Sequence, residues 1–214
     1  MLSHYSAQSL EQQLSKITEH GFCVMDNFLT QATILALADE VTLLNDAAQM
    51  HEAGTGRAHA TINKHIRGDS IYWLHEVDAS TAQLAYFKQM EALRLGLNQH
   101  LYLGLFALES HLALYPIGTG YKKHVDRFKS SDQQQHQPLR QISCILYLNQ
   151  HWLDDDGGQL RLYLNQEEET IDNLPIDILP VGGRLVAFLS DTFYHEVLPA
   201  SKARMSLTGW FLTR

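Results

Sequence analysis

The sequence predicts an α+β chain that is mainly β, a sandwich or jelly roll with helices over one face of a sheet. Two observations predict it. Apolar residues recur at near-helical steps through the first 105 residues, and beyond Glu109 the period falls to two. Gly and Pro then cut the second half into seven or eight short apolar segments with no helical pattern between them.

Each element has its own signal. Leu10, Leu14 and Ile17 share a helix face, and Gly21 can end that helix. Phe22–Met25 reads as a short buried strand. Thr30 is the N-cap residue of a second helix, with Ile34, Leu35, Leu37, Ala38 and Val41, running to Asn45. Residues 49–68 lose the pattern and read as a mobile connection. A third helix over Ser80–Leu101 carries Leu84, Phe87, Met90, Leu93, Leu97 and Leu101. Strands are expected at His111–Tyr115, Tyr121–Val125, Ile142–Leu148, Gln159–Tyr163, Asp177–Leu179 and Arg184–Leu189, and at Ser206–Leu212 in a last segment that Arg204 opens. The chain divides into a mostly helical flank, 1–105, and a β core, 106–214, of one domain, 1–214.

Composition narrows the partners. At 214 residues and 45% hydrophobic, the chain can bury a sizeable core. A formal charge of -8 disfavours nucleic acid or an anionic membrane and favours a small molecule or a protein. There is no export signal and no run long enough to span a membrane, so a cytoplasmic monomer is expected. Cys23 and Cys144 sit in apolar segments outside any CxxC pair and read as buried, reduced thiols.

One constellation carries chemistry. His124 and Asp126, two apart on an extended segment, point to the same side. His195, after the strand Arg184–Leu189, can supply a third ligand. Two imidazoles and one carboxylate leave coordination positions open, the arrangement of non-haem Fe(II) oxygenases. Such an accidental His-x-Asp is common among twelve histidines, so a further feature is required. Arg204 supplies it, sharing a face with Ser206, Thr208 and Trp210. A guanidinium buried in a barrel needs a carboxylate partner. The distal carboxylate of 2-oxoglutarate would serve, with Tyr147 donating a second hydrogen bond. A pairing of Arg204 with Glu196 is the alternative.

With these residues the chain, from His20 to Arg214, resembles the prolyl hydroxylases of the hypoxia-sensing type and their bacterial relatives. The matching segments are His20–Leu29, Ile66–Asp69 with Trp73, and Gly118–Tyr121 leading to His124–Asp126. They continue with Tyr147–Asn149, Trp152, Gly157–Gly158, Leu160–Arg161, His195–Val197, Pro199–Ala200, Arg204 and Trp210. Ile66-Arg67-Gly68-Asp69 and Gly118-Thr119-Gly120-Tyr121 are the more specific of these. The resemblance implies a double-stranded β-helix (jelly roll, cupin-like) with N-terminal helices packed outside one sheet. It implies Fe(II) on His124, Asp126 and His195, and 2-oxoglutarate and O2 as cosubstrates, with ascorbate as a reductant. Arg204, Tyr147 and Tyr115 would line the cosubstrate, and Tyr121, Arg140, Asp69, Arg67 and Trp210 the substrate side. The reaction would hydroxylate a prolyl residue of an intracellular protein, releasing succinate and CO2. The stretch between Asp126 and Arg140 is longer and richer in glutamine than in animal members, and it borders the substrate side.

Rival readings are the same mechanism on a free amino acid, another side chain or a small metabolite, or a non-catalytic jelly-roll sensor. A halogenase is disfavoured because Asp126 fills the halide position. Other features read as structural. Asp69 pairs with Arg67 or Arg140, or forms a turn, and Trp73 and Trp152 pack. Asp154–Asp156 and Glu167–Glu169 are solvated loops, and His51, His59, His65 and His151 lie at the surface. Lys122, Lys123, Arg127, Lys129 and Arg140 form a basic stretch that attracts an anionic ligand or is simply solvated.

Overall fold

Helix α1 (Ala7–His20) buries Leu14 and Ile17 and stops at Gly21, whose φ of +78° and N–H bond to Ile17 O close the last turn. The computed structural model describes residues 7–54, 62–127, 138–164 and 174–214. Strand β1 (Phe22–Met25) follows directly. Helix α2 (Gln31–Asp46) starts as its sequence requires, with Thr30 Oγ1 accepting from Thr33 N at 3.1 Å. It buries Ile34, Leu37 and Val41, while Leu35 faces water. Helix α3 (Thr81–Leu101) is capped by Ser80 and ends at Tyr102 in a left-handed conformation. Met90, Leu93 and Leu97 are buried with Tyr86, but Leu84, expected in the core, is exposed. Glu40 joins the helices by accepting from Ser80 and Gln83.

The remaining strands are β2 (His51–Glu52), β3 (Ser70–Leu74), β4 (Ala107–Tyr115), β5 (Tyr121–His124), β6 (Leu139–Tyr147), β7 (Leu160–Tyr163), β8 (Ile176–Ile178), β9 (Leu185–Leu189), β10 (Tyr194–Val197) and β11 (Arg204–Thr213). Seven form one antiparallel sheet in the order β1-β9-β6-β11-β4-β3-β2, and four form a second, β5-β10-β7-β8. This is the expected jelly roll, a double-stranded β-helix. Two differences from expectation concern the helical flank. The helical flank also contributes β2 and β3 to the large sheet, because β4 offers β3 a free edge along Ser110–Leu114. β2 lies inside the connection expected to be mobile. His195 follows β9, as expected, and stands in a strand of its own, β10.

Alternation sorts the large sheet into two faces. Cys23, Met25, Leu112, Cys144, Leu146, Leu185, Leu207 and Phe211 pack under the three helices. On the other face, Ile145, Tyr147, Val186 and Phe188 meet Leu160, Leu162 and Ile178 of the small sheet. Burying a side chain such as Leu207 or Phe211 stabilises the fold by roughly 1.5–3 kcal/mol each. The inner face is therefore where a polar residue stands out, and Arg204, Ser206, His111 and Ser143 are all buried. Among the described residues no helix is long and apolar enough to cross a membrane.

The Asp154–Asp156 segment exposes Asp154 and Asp155, as expected, but buries Asp156. It forms a 3-10 turn in which Asp156 accepts from Leu153 N and Lys202 Nζ, both at 2.7 Å, and the Lys202 bond holds its carboxyl below the usual value. Cys23 and Cys144 are buried free thiols, as expected, one on each side of Ala187 in the register. Trp152 is buried with Nε1 bonded to Gly157 O. Glu167–Glu169, His59 and Lys129 lie outside the described residues.

Candidate active site

The small sheet brings the first three candidates together. β10 pairs with β5 so that His195 lies opposite His124, and Asp126 follows β5 by two residues. His124 Nε2 is 3.7 Å from Asp126 Oδ1, and His195 Nε2 is 3.8 Å from Asp126 Oδ2. One ligating atom from each residue lies within 4.8 Å of the others, a group able to hold a metal ion. Each imidazole is oriented by its other nitrogen. His124 Nδ1 bonds Lys122 O at 2.8 Å and His195 Nδ1 bonds Phe193 O at 3.1 Å, so each Nδ1 carries the proton and each Nε2 keeps a lone pair. Tyr121 stacks on His124 at 3.6 Å and Phe188 meets His195 edge-on at 4.9 Å, fixing the ring planes.

Electrostatics set the protonation. Burial, then neighbouring His195, hold His124 well below the ordinary imidazole value. Burial alone would raise Asp126, but His195, His124 and hydrogen bonds from Ser143 and Trp210 outweigh it and keep the carboxyl low. A neutral imidazole and an ionised carboxylate are the forms that bind a divalent cation.

Arg204 is 1% exposed and Tyr147 is fully buried on neighbouring strands of the inner face. Arg204 Nε donates to Gly158 O at 2.9 Å. The guanidinium carbon lies 5.0 Å from the Tyr147 ring centre and 5.2 Å from that of Tyr115, its register partner on β4. Arg204 Nη2 and the Tyr147 hydroxyl are buried without a hydrogen-bond partner among the described residues. Such atoms are rare in native proteins because each costs roughly 1–3 kcal/mol. A carboxylate satisfies both at once, so the residues fit one end of a diacid. Glu196, the alternative partner, instead accepts from Tyr163 at 2.7 Å and lies 3.8 Å from Arg161. Burial raises the Tyr147 and Tyr115 phenols, keeping them as neutral donors.

The substrate-side candidates surround this centre. Arg67 grips Asp69 through two bonds, 2.7 and 2.9 Å, and lies over Tyr121 at 4.9 Å. Arg140 bonds Glu109 at 2.6 Å and covers the Trp210 ring at 3.6 Å. The indole N–H of Trp210 is spent on Asp126, leaving only its ring for other contacts. Trp73 is not a plain packing residue, because it is 41% exposed and forms an aromatic set with His111 and Trp210. The basic stretch is partly neutralised, with Arg127 on Asp191 and Gln141 and Arg140 on Glu109.

Three residues, and the contact made by Gly158, escaped the sequence reading. Ser143 and Ser190 are fully buried beside Asp126, and Gly158 supplies a carbonyl to Arg204. His111 is buried, and burial followed by the charges of Arg67 and Arg140 presses it down to about 3. The signal for Ser143 was a hydroxyl on the inner-face register of an apolar strand, where Ile145 and Tyr147 also lie.

Comparison with known proteins gives a consistent picture. The family described as the 2OG-Fe(II) oxygenase superfamily matches residues 110–212. Egl nine homolog 1 of Homo sapiens is 31% identical over 95% of this chain and 46% of its own length. The chain thus spans about half the length of the first curated relatives it matches. A Pseudomonas putida prolyl-4-hydroxylase structure is 38% identical with a TM-score of 0.83, covering 95% of this chain and 99% of that one. A Trichoplax adhaerens prolyl hydroxylase, solved with a hypoxia inducible factor peptide fragment, is 26% identical with a TM-score of 0.79, covering 97% and 94%.

Proposed function

Since the chain belongs to the 2OG-Fe(II) oxygenase superfamily, we propose that it hydroxylates prolyl residues of an intracellular protein. Iron is held by His124, Asp126 and His195, and 2-oxoglutarate by Arg204 and Tyr147 over the Tyr115 ring. The family chemistry uses Fe(II), 2-oxoglutarate and O2. Bound together, they insert one oxygen atom into a substrate C–H bond while the diacid leaves as succinate and CO2. The observation that carries the reading is the pair of orphaned donors on Arg204 and Tyr147, on the inner face of the jelly roll that also holds two imidazoles and a carboxylate.

Each residue has a task. His124 and His195 present Nε2 lone pairs because their Nδ1 protons are held by backbone carbonyls. Arg204 and Tyr147 grip the distal carboxylate, orienting the cosubstrate. Tyr121, Arg67, Arg140 and Trp210 face the peptide, and Asp69, buried beneath them, serves that side by holding the Arg67 guanidinium. Proline as the target rests on the named activity of the relatives. The protein acts as a cytoplasmic monomer with ascorbate keeping the iron ferrous, and the two free thiols accord with the reducing compartment.

The test is incubation of iron-loaded protein with 2-oxoglutarate and cytoplasmic extract, followed by mass spectrometry of peptides. The gain of one oxygen atom on proline is expected. The same gain only on another side chain or a metabolite would overturn the substrate, and no succinate release under any condition would overturn the enzyme.

A further inference from the structure

The two oxygens of Asp126 are treated differently by the fold. Oδ2 accepts from Ser143 Oγ at 2.6 Å and from Trp210 Nε1 at 2.9 Å, and both donors come from the large sheet. Oδ1 faces His124. A carboxylate oxygen has two in-plane lone pairs, and these two donors use both on Oδ2. We propose that Ser143 and Trp210 are positioning residues that commit Asp126 to binding the metal through Oδ1 alone.

The consequence is for coordination. A metal holding two imidazoles and one carboxylate oxygen keeps one face open. A carboxylate that swung round to bind through both oxygens would take part of that face, at the expense of cosubstrate or oxygen. Hydrogen bonds to Oδ2 oppose that swing, and in a buried site they are stronger than in water.

Proton counting extends the chain of donors by one residue. Ser143 has a single hydroxyl proton, and it goes to Asp126. The 2.9 Å contact between Ser143 Oγ and Ser190 Oγ therefore runs with Ser190 as donor. Both serines are fully buried, and Ser190 is fixed by its own backbone. Its N–H donates to Gln141 O and its carbonyl accepts from Arg127 N, each at 3.1 Å. Arg127 follows Asp126, so the segment carrying the carboxylate is tied to the residue that begins the chain. Ser190 orients Ser143, Ser143 orients Asp126, and Trp210 holds the same oxygen from the other side.

The inference rests on the metal reading of the site, and its experiment separates the two. The full-length protein is stripped of metal and loaded with Mn(II), whose bound waters are counted by water-proton relaxation. In Ser143→Ala/Trp210→Phe the expected result is about one water fewer on the bound Mn(II) than in the parent, because the freed Oδ2 joins the metal. Ser190→Ala moves the count in the same direction by less. Should the double variant fail to fold, Ser143→Cys and Trp210→Phe singly carry the same readout, each with a fractional loss. A water count unchanged from the parent in folded variants would overturn the inference alone. A parent protein that binds no Mn(II) would overturn the metal reading with it.

Discussion

The guanidinium carbon of Arg204 lies 5.0 Å from the centre of the Tyr147 ring, and each residue leaves one buried polar atom unpaired. A diacid that satisfies both gains a charged pair and a neutral hydrogen bond in one step. Arg204→Ala is expected to weaken 2-oxoglutarate by about 3–5 kcal/mol, a loss of two to three or more orders of magnitude. Tyr147→Phe is expected to cost only about 1 kcal/mol. Titration of the cosubstrate under saturating iron measures both, and equal effects from the two would show that charge is not what grips the ligand.

Asp126→Ala removes the sole anionic ligand and leaves the Ser143 and Trp210 donors unsatisfied. Loss of iron-dependent turnover and of tight divalent-metal binding is expected, with the fold kept, since Asp126 lies outside every strand and helix and carries no sheet pairing. Calorimetric metal titration and far-ultraviolet circular dichroism check the two halves. Retained turnover would remove Asp126 from the site.

Gly118 and Gly120 belong to one motif but are glycine for different reasons. A Cβ on Gly120 would sit 2.3 Å from Val197 O, a backbone atom, whereas one on Gly118 meets nothing within 4 Å but requires a φ of +74°. Gly120→Ala is expected to cost about 1–3 kcal/mol or more, pushing β10 and His195 away from β5. Gly118→Ala is expected to cost about 1 kcal/mol. Thermal melts rank them, and weaker metal binding should accompany Gly120→Ala alone.

Burial pushes the Cys23 thiol up to about 12 and raises Cys144 also. Unfolded thiols titrate near 8.5. Between those values the unfolded chain gives up protons that the folded chain keeps, so stability is full below about pH 8.5 and falls as pH rises towards 12. Each thiol contributes a slope of at most about 1.4 kcal/mol per pH unit. Denaturant unfolding at pH 8 to 11 should show a steeper decline in the parent than in Cys23→Ala/Cys144→Ala. Identical slopes would mean the thiols are not held neutral by burial.

Much of the site was legible because its signals are local. His124 and Asp126 announce themselves by a two-residue spacing on an extended segment, and Arg204 by a charge at an inward position of an apolar strand. The helix starts at Thr30 and Ser80 were legible for the same reason, since a capping hydroxyl acts within its own turn. What stayed hidden depends on pairing across the sheet. β3 exists because β4 gives it an edge, and its sequence, Ser-Ile-Tyr-Trp-Leu, shows no alternation of its own. Ser143 resembles a neutral spacer until Asp126, 17 residues earlier, is folded over it. Trp73 resembles core until His111 and Trp210 are seen beside it.

Strand β11 serves two layers at once. Met205, Leu207 and Phe211 lie under the helices, and Arg204, Ser206, Thr208 and Trp210 line the interior. Adding or deleting a single residue within it would turn the guanidinium into the helix layer and a leucine into the cavity. Substitutions along this strand can be absorbed one at a time, but its length is frozen. Insertions and deletions that distinguish one descendant of this chain from another are therefore expected in the connecting segments, where new targets can be accommodated without disturbing the chemistry.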